Sequence, residues 1–167
     1  STVYKDSTME LKVSKHPPSW HLKVRPAATL FPVTKSGKIM VMHEKKASTG
    51  RWIWGFPGGN IENGETAAEG AKRECEEELG LIPTRTQKVT KVVTNFPDTS
   101  VTYFLGFNLK EGQAKNWESE KIGKIKEVTI KELYNLTLDG KISNPREVVA
   151  ILHLYKLFKA GKIKLAL

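Results

Sequence analysis

The 167-residue chain holds a single cysteine, Cys75, so no disulfide can form within it, and it suits a reducing compartment. No apolar run approaches the roughly 18 residues that a membrane helix needs. The first residues lack the charged-then-apolar pattern of a signal segment. A cytoplasmic location and no membrane partner are the expectations that follow. Internal repeats, low-complexity stretches and linker-like runs are also missing. A chain of this length can bury one sizeable core and is short for two, so residues 1–167 are expected to form one domain. The four histidines, His16, His21, His43 and His153, show no metal-ligand spacing. Acidic residues are scarce overall: 18 Asp and Glu face 27 Lys and Arg, a net charge of +9. The lysine surplus is dispersed, with mild clusters at Lys45–Lys46 and from Lys156 to Lys164. It allows polyanionic partners such as nucleic acid, but it reads first as a soluble lysine-rich surface.

Against that scarcity, acid is concentrated in one place, Gly59 to Leu81 (GNIENGETAAEGAKRECEEELGL). Thr66-Ala67-Ala68-Glu69 forms a capping box, so a helix should begin at Ala67, and Gly80 is placed to end it in the left-handed conformation. Ala68, Ala71, Cys75 and Leu79 share one stripe, the expected core face. Glu74, Glu77 and Glu78 stand at i, i+3 and i+4, so their carboxylates share another. Like charges at that spacing repel, and they crowd the helix end where the macrodipole also disfavours anions. A compensating cation is the natural resolution. Hard oxygen ligands favour Mg²⁺, Mn²⁺ or Ca²⁺ over softer metals.

The same stretch resembles the Nudix box, G-x5-E-x7-R-E-U-x-E-E-x-G-U, with U a bulky apolar residue. Gly59, Glu65, Arg73, Glu74, Glu77, Glu78, Gly80 and Leu81 fall in register, and Cys75 takes the first U position. The alternative, a solvated acidic helix face, does not account for so many matches. The resemblance implies an α/β fold, a mixed β-sheet sandwiched between α-helices, with the box as a loop–helix–loop. It also implies hydrolysis of a pyrophosphate bond with Mg²⁺, or Mn²⁺ as substitute, held by Glu74, Glu77 and Glu78 and by the main-chain carbonyl of Gly58. Glu65 and Arg73 would brace the loop against the helix.

Around the box the pattern is one of short strands followed by helices. Strands are expected at Thr2–Tyr4, Glu10–Val13 and His21–Val24, then a hairpin of 27–33 with 39–42 about Ser36-Gly37. Trp52–Phe56, Lys88–Asn95, Ser100–Leu109 and Ile125–Thr129 complete the strands, with Phe96-Pro97-Asp98 as a turn. A second capping box at Thr129 and an Asn144-Pro145 start open two further helices. Val148, Ile151, Leu152, Tyr155 and Phe158 are the expected buried face of the last one.

The arrangement of VYKDSTMELKVS, LKVRPAATLFPVTKSGKIMVM and FPGGNIENGE resembles the ADP-ribose pyrophosphatase branch of the family, and so does the C-terminal LYNLTLDGKISNPREVVAILHLYKL. Pro97, sixteen residues past Leu81, matches the proline often used to mark ADP-ribose enzymes. His43-Glu44-Lys45-Lys46 stands where that branch usually has Q-Y-R, and an unusual Ser-Thr-Gly-Arg-Trp-Ile-Trp insert follows. The resemblance implies cleavage of ADP-ribose or a related nucleoside diphosphate sugar, and a homodimer built through residues 1–24. It also points to the acidic segment Asn116–Ile122 as the source of the catalytic base, Glu120 first and Glu118 second, with the box's Glu77 next. Arg51, Arg25, Lys45 and Lys46 are candidates for holding phosphate. Trp52 and Trp54, on one face of a strand, are candidates for stacking on a base, as are Phe96 and Trp117. Two other readings stand beside this one: a pyrophosphohydrolase of nucleoside triphosphates or RNA 5′ ends, and a binding module on a degenerate fold. An intact carboxylate set argues against the last.

Overall fold

The computed structural model describes residues 1–46, 49–115 and 121–165. Among these, strands β1 (Thr2–Lys5), β2 (Met9–Lys15), β3 (Pro18–Val24), β4 (Ala27–Pro32), β5 (Ile39–Lys45), β6 (Trp52–Gly55) and β7 (Gly58–Asn60) precede helix α1 (Ala67–Leu79). Strands β8 (Leu81–Asn95), β9 (Asp98–Glu111) and β10 (Lys121–Val128) follow, then helices α2 (Ile130–Leu138) and α3 (Pro145–Lys159). The larger sheet runs β1-β2-β3-β9-β4-β7, with β8 along the other side of β9, and β3 and β4 lie parallel to β9. The smaller sheet is antiparallel, β10-β5-β6. This is the mixed-sheet α/β architecture expected. No described helix is long and apolar enough to cross a membrane.

Strand β4 is the pivot, and it corrects the expected hairpin. It does not pair along β5; only an isolated Val33↔Ile39 bridge joins the two segments. Burial supplies the reason. Ala28 and Leu30 face α1, in a cluster with Ala71 and Cys75. Phe31 points the other way, into the larger core with Phe56, Tyr103, Ile151 and Leu154. A strand apolar on both faces belongs in the centre of a sheet covered on both sides, where a parallel neighbour is usual. Burying a side chain such as Leu30 or Phe31 contributes roughly 2–3 kcal/mol.

Helix α1 has the ends its sequence requires. Thr66 accepts from the Glu69 backbone N–H at 3.2 Å, and the Glu69 carboxylate accepts from the Thr66 N–H at 2.7 Å. Gly80, at φ 66°, takes the left-handed conformation that costs other residues about 1 kcal/mol. Ala71 and Cys75 are fully buried, with Ala68 and Leu79 packed beside them. Burial pushes the Cys75 thiol up to about 12, so it stays an unreactive core group.

Three further differences have local causes. β7 is a further strand just past the expected Trp52–Phe56; it pairs with β4, Thr29 opposite Gly58 and Ala28 opposite Gly59. β8 begins at Leu81, well before Lys88, because an edge strand tolerates Pro83, which had masked its signal. On α3 the buried positions are Glu147, Ala150, Ile151 and Leu154, while Leu152 is exposed. Val148, Tyr155 and Phe158 are half-buried against the same core, so of the expected face Leu152 alone turns outward, and a carboxylate heads the buried stripe.

Candidate active site

Arg73 is the electrostatic hub of the box. Its Nε donates to Glu65 Oε1 at 2.9 Å and its Nη2 to the Asn60 carbonyl at 3.0 Å. Its Nη1 donates to Glu74 Oε1 at 2.7 Å and to Glu77 Oε2 at 3.3 Å. Glu65 in turn accepts from the Glu62 backbone N–H at 2.9 Å. One guanidinium therefore ties the loop before α1 to the helix and orients two of the three box carboxylates. Its hydrogen bond to Glu65 raises the Arg73 pKa and lowers that of Glu65, so both stay charged. Replacing Arg73 by Met should cost about 2 kcal/mol, the scale of lost charged hydrogen bonds at a partly buried site. Urea unfolding measures this; a loss below about 0.5 kcal/mol, the scale of an ordinary surface change, would show the brace to be dispensable.

Glu74 lies directly against the glycine pair. A Cβ on Gly59 would sit 2.6 Å from the Glu74 carboxyl carbon, and one on Gly58 would sit 2.8 Å from the Ala28 carbonyl oxygen. Only glycines allow main chain and carboxylate to approach this closely. Burial raises the Glu74 pKa. Glu77 is also buried, and it accepts from Lys115 as well as from Arg73. Glu78 follows it on α1. Part of the charge that compensates the crowded carboxylates thus comes from the protein itself, from Arg73 and Lys115. Among the described residues, no three His, Cys, Asp or Glu side chains converge as a ready metal cluster. The donor chemistry nonetheless fits a hard divalent ion, with the Glu74 carboxylate of α1 against the side-chain-free backbone of β7.

The segment after β9 is laced to the end of α1. The Gly112 N–H donates to the Gly80 carbonyl and the Lys115 N–H to the Glu77 carbonyl, both at 2.8 Å. Lys121 resumes opposite Lys45 at the end of β5. The candidates between them, Glu118, Glu120 and Trp117, lie outside the described residues.

The expected substrate contacts fall into two groups. Arg51, Lys45, Lys46 and Trp52 sit on the β5–β6 hairpin, with Arg51 and Lys45 exposed. Trp52 and Trp54 do share a face, but they are stacked about His43, with ring centroids 5.1 and 4.6 Å away, and Lys126 lies 5.0 Å from the Trp54 ring. Arg25 and Pro97 lie on the other side. Arg25 Nη2 donates to Asn63 in the loop before α1 at 3.1 Å. Pro97 is at the β8–β9 turn, where its neighbour Phe96 meets Trp20 of β3 at 4.4 Å. Of these residues, Arg25 is the one hydrogen-bonded to the box loop. Sequence reasoning did not single out Lys115, for which spacing carries no signal, nor Glu147, which stands at the start of the last helix, and it noted Glu44 only within the His43–Lys46 stretch that departs from Q-Y-R.

Comparison with known proteins agrees with this geometry. The family model of the NUDIX domain matches residues 23–150. The ADP-ribose pyrophosphatase of Bacillus subtilis is 28% identical over 131 residues, covering 77% of this chain and 71% of that protein. The 8-oxo-dGTP diphosphatase of Escherichia coli is 42% identical over 69 residues, 41% of this chain and 49% of that protein. A crystal structure described as an ADP compounds hydrolase superposes with a TM-score of 0.78 at 19% identity, covering 98% of this chain and 94% of that one. At that identity the likeness is one of fold.

The mixed sheet carries a carboxylate helix against the glycines of β7, the framework on which the family match falls. The chain belongs to the Nudix family and is a Nudix pyrophosphatase, of a kind that generally uses a divalent metal and acts on small nucleotides.

Proposed function

We propose that the protein hydrolyses the pyrophosphate bond of ADP-ribose or a related nucleoside diphosphate sugar, giving a nucleoside monophosphate and a sugar phosphate. The observation that carries this reading is the 28% identity to an ADP-ribose pyrophosphatase along 77% of the chain. Glu74, Glu77, Glu78 and the Gly58 carbonyl would hold Mg²⁺, with Mn²⁺ as substitute. The ion supplies positive charge to the diphosphate and acidifies the attacking water. Arg73 keeps Glu74 and Glu77 aimed, and the glycines of β7, Gly58 and Gly59, would let the diphosphate approach the main chain. Glu120 takes the proton of the water as its oxygen bonds to phosphorus and the bridging P–O bond breaks. Arg51, Arg25, Lys45, Trp52 and Pro97 remain the proposed substrate contacts.

The test is a substrate panel with Mg²⁺, read by phosphate release after phosphatase coupling. Turnover of nucleoside diphosphate sugars is expected to exceed that of nucleoside triphosphates. The reverse order, with pyrophosphate released, would favour the second reading, hydrolysis of triphosphates or RNA 5′ ends. That reading is supported by the 42% identity to an 8-oxo-dGTP diphosphatase over 69 residues.

The same proposal includes a homodimer through β1–β3. These strands form an antiparallel meander that leaves Val3, Tyr4, Val13 and Trp20 exposed, an edge of the kind proteins cover by pairing. Sedimentation should give a dimer. A fully active monomer at the assay concentration would sink the idea.

A further inference from the structure

Both oxygens of the Glu77 carboxylate are capped by cations that the chain itself supplies. Oε2 accepts from Arg73 Nη1 at 3.3 Å, and Oε1 accepts from the Lys115 ammonium. Glu77 is 8% exposed, so its charge could not stand there without compensation. The two cations are held very differently. Arg73 is 23% exposed at its side chain and also bonds Glu65, Glu74 and the Asn60 carbonyl. The Lys115 side chain is 61% exposed, and the bond to Glu77 is the one its ammonium makes among the described residues.

Main chain brings Lys115 to this place. Past β9, the Gly112 N–H donates to the Gly80 carbonyl and the Lys115 N–H to the Glu77 carbonyl, both at 2.8 Å. Between them the Gln113 N–H donates to Glu76 Oε1 at 3.4 Å. A Cβ on Gly112 would stand 2.7 Å from the Ile82 side chain and 3.0 Å from Glu76 Oε1, so the crossing is close enough to need a glycine. The register of these bonds sets one lysine against one carboxylate. An ordinary surface lysine extends into water, where an ion pair contributes little. Here the partner is buried, and the lysine's own backbone is pinned beside it.

An ammonium and a divalent ion on one carboxylate oxygen repel each other. Arg73 is committed to several partners, whereas Lys115 is a point charge on a flexible stem, so Lys115 is the group that can leave. We infer that Lys115 is the resident counter-ion of the metal site. It holds Glu77 while no divalent ion is bound, gives way when one arrives, and so sets the metal concentration at which the enzyme becomes active. The inference rests on the reading of Glu77 as a metal ligand and adds the residue that competes for it.

The test measures Mn²⁺ affinity, from the spin resonance of the free ion, in wild type, K115M, E77Q and the double variant. K115M should bind Mn²⁺ more tightly than wild type, because a ligand already engaged lowers the apparent affinity. Loss of any nearby positive charge would also tighten binding, whatever Lys115 touches. The cycle separates the two effects: K115M should tighten binding at least about threefold more with Glu77 present than in the E77Q background. A smaller difference between the backgrounds, or weaker Mn²⁺ binding by K115M than by wild type, would overturn the exchange. E77Q binding Mn²⁺ as tightly as wild type would refute the ligand role of Glu77 itself, and the exchange with it. A direct readout needs no variant: in wild type, hydrogen exchange of the Lys115 ammonium, followed by NMR, should speed up on saturation with Mg²⁺. Exchange left unchanged by the metal would equally overturn the proposal.

Discussion

Glu77→Gln is expected to lower turnover by orders of magnitude while the protein stays folded. Glu77 is buried, and it accepts from both Arg73 and Lys115. Glutamine keeps the size and one acceptor, so the bond to Arg73 can persist and the helix has no reason to unwind. The negative charge is lost, and with it a hard ligand on the face that Glu74 and Glu78 share. Affinity for Mn²⁺, read by the spin resonance of the free ion, should fall alongside kcat. A fall in kcat of less than about tenfold, or 1.4 kcal/mol, would count against a ligand role. Unchanged metal affinity with a large loss of rate would instead make Glu77 the base.

Glu120→Gln should lower kcat by about 10²- to 10⁴-fold, the usual worth of a general base. Glutamine preserves size and hydrogen bonding but cannot accept the proton of the attacking water. Metal and substrate affinity should change much less, because the box residues remain. The segment that carries Glu120 leaves the described residues at Lys115, whose N–H is bonded to the Glu77 carbonyl, and re-enters at Lys121 beside β5. Its ends are therefore fixed to the helix of the box carboxylates and to the strand of Glu44. The same change at Glu118 should be milder. If it were the more damaging of the two, the base lies two residues earlier. If neither lowered kcat by about tenfold, Glu77 is the next candidate.

What could be read from the sequence follows the range of the interactions. The capping boxes at Thr66 and Thr129, the Pro145 start and the Gly80 stop are local, and each helix begins where its cap stands. The box spacing placed Glu74 and Glu77 on one face, and both meet Arg73. Failures came where partners are distant. Nothing near Ala27–Pro32 says that its neighbour is β9, some seventy residues on, so a local hairpin looked natural. Lys115 reaches Glu77 across 38 residues, and no spacing rule could join them. Glu147 stands in a first helical turn, where acids are common and exposed; only the tertiary fold, which brings the head of α3 beside Gly55, turns it inward.

That inward acid also leaves a mark on the stability of the whole molecule. In the folded chain Glu147 holds its proton up to about 8, while the unfolded chain releases it near the ordinary value of 4.5. Between those two pH values the unfolded state binds fewer protons than the folded one. This group alone therefore makes stability fall as pH rises, by roughly 1.4 kcal/mol per unit, with no contribution to the slope below or above the window. Most proteins lose their carboxylate interactions in acid; this site pulls the other way, and the charge of Glu44 widens the window by helping to raise the Glu147 pKa. Melting curves of wild type and E147Q across pH 5 to 9 should therefore diverge steadily towards alkali, the variant becoming the more stable, and run parallel once the carboxyl is fully ionised.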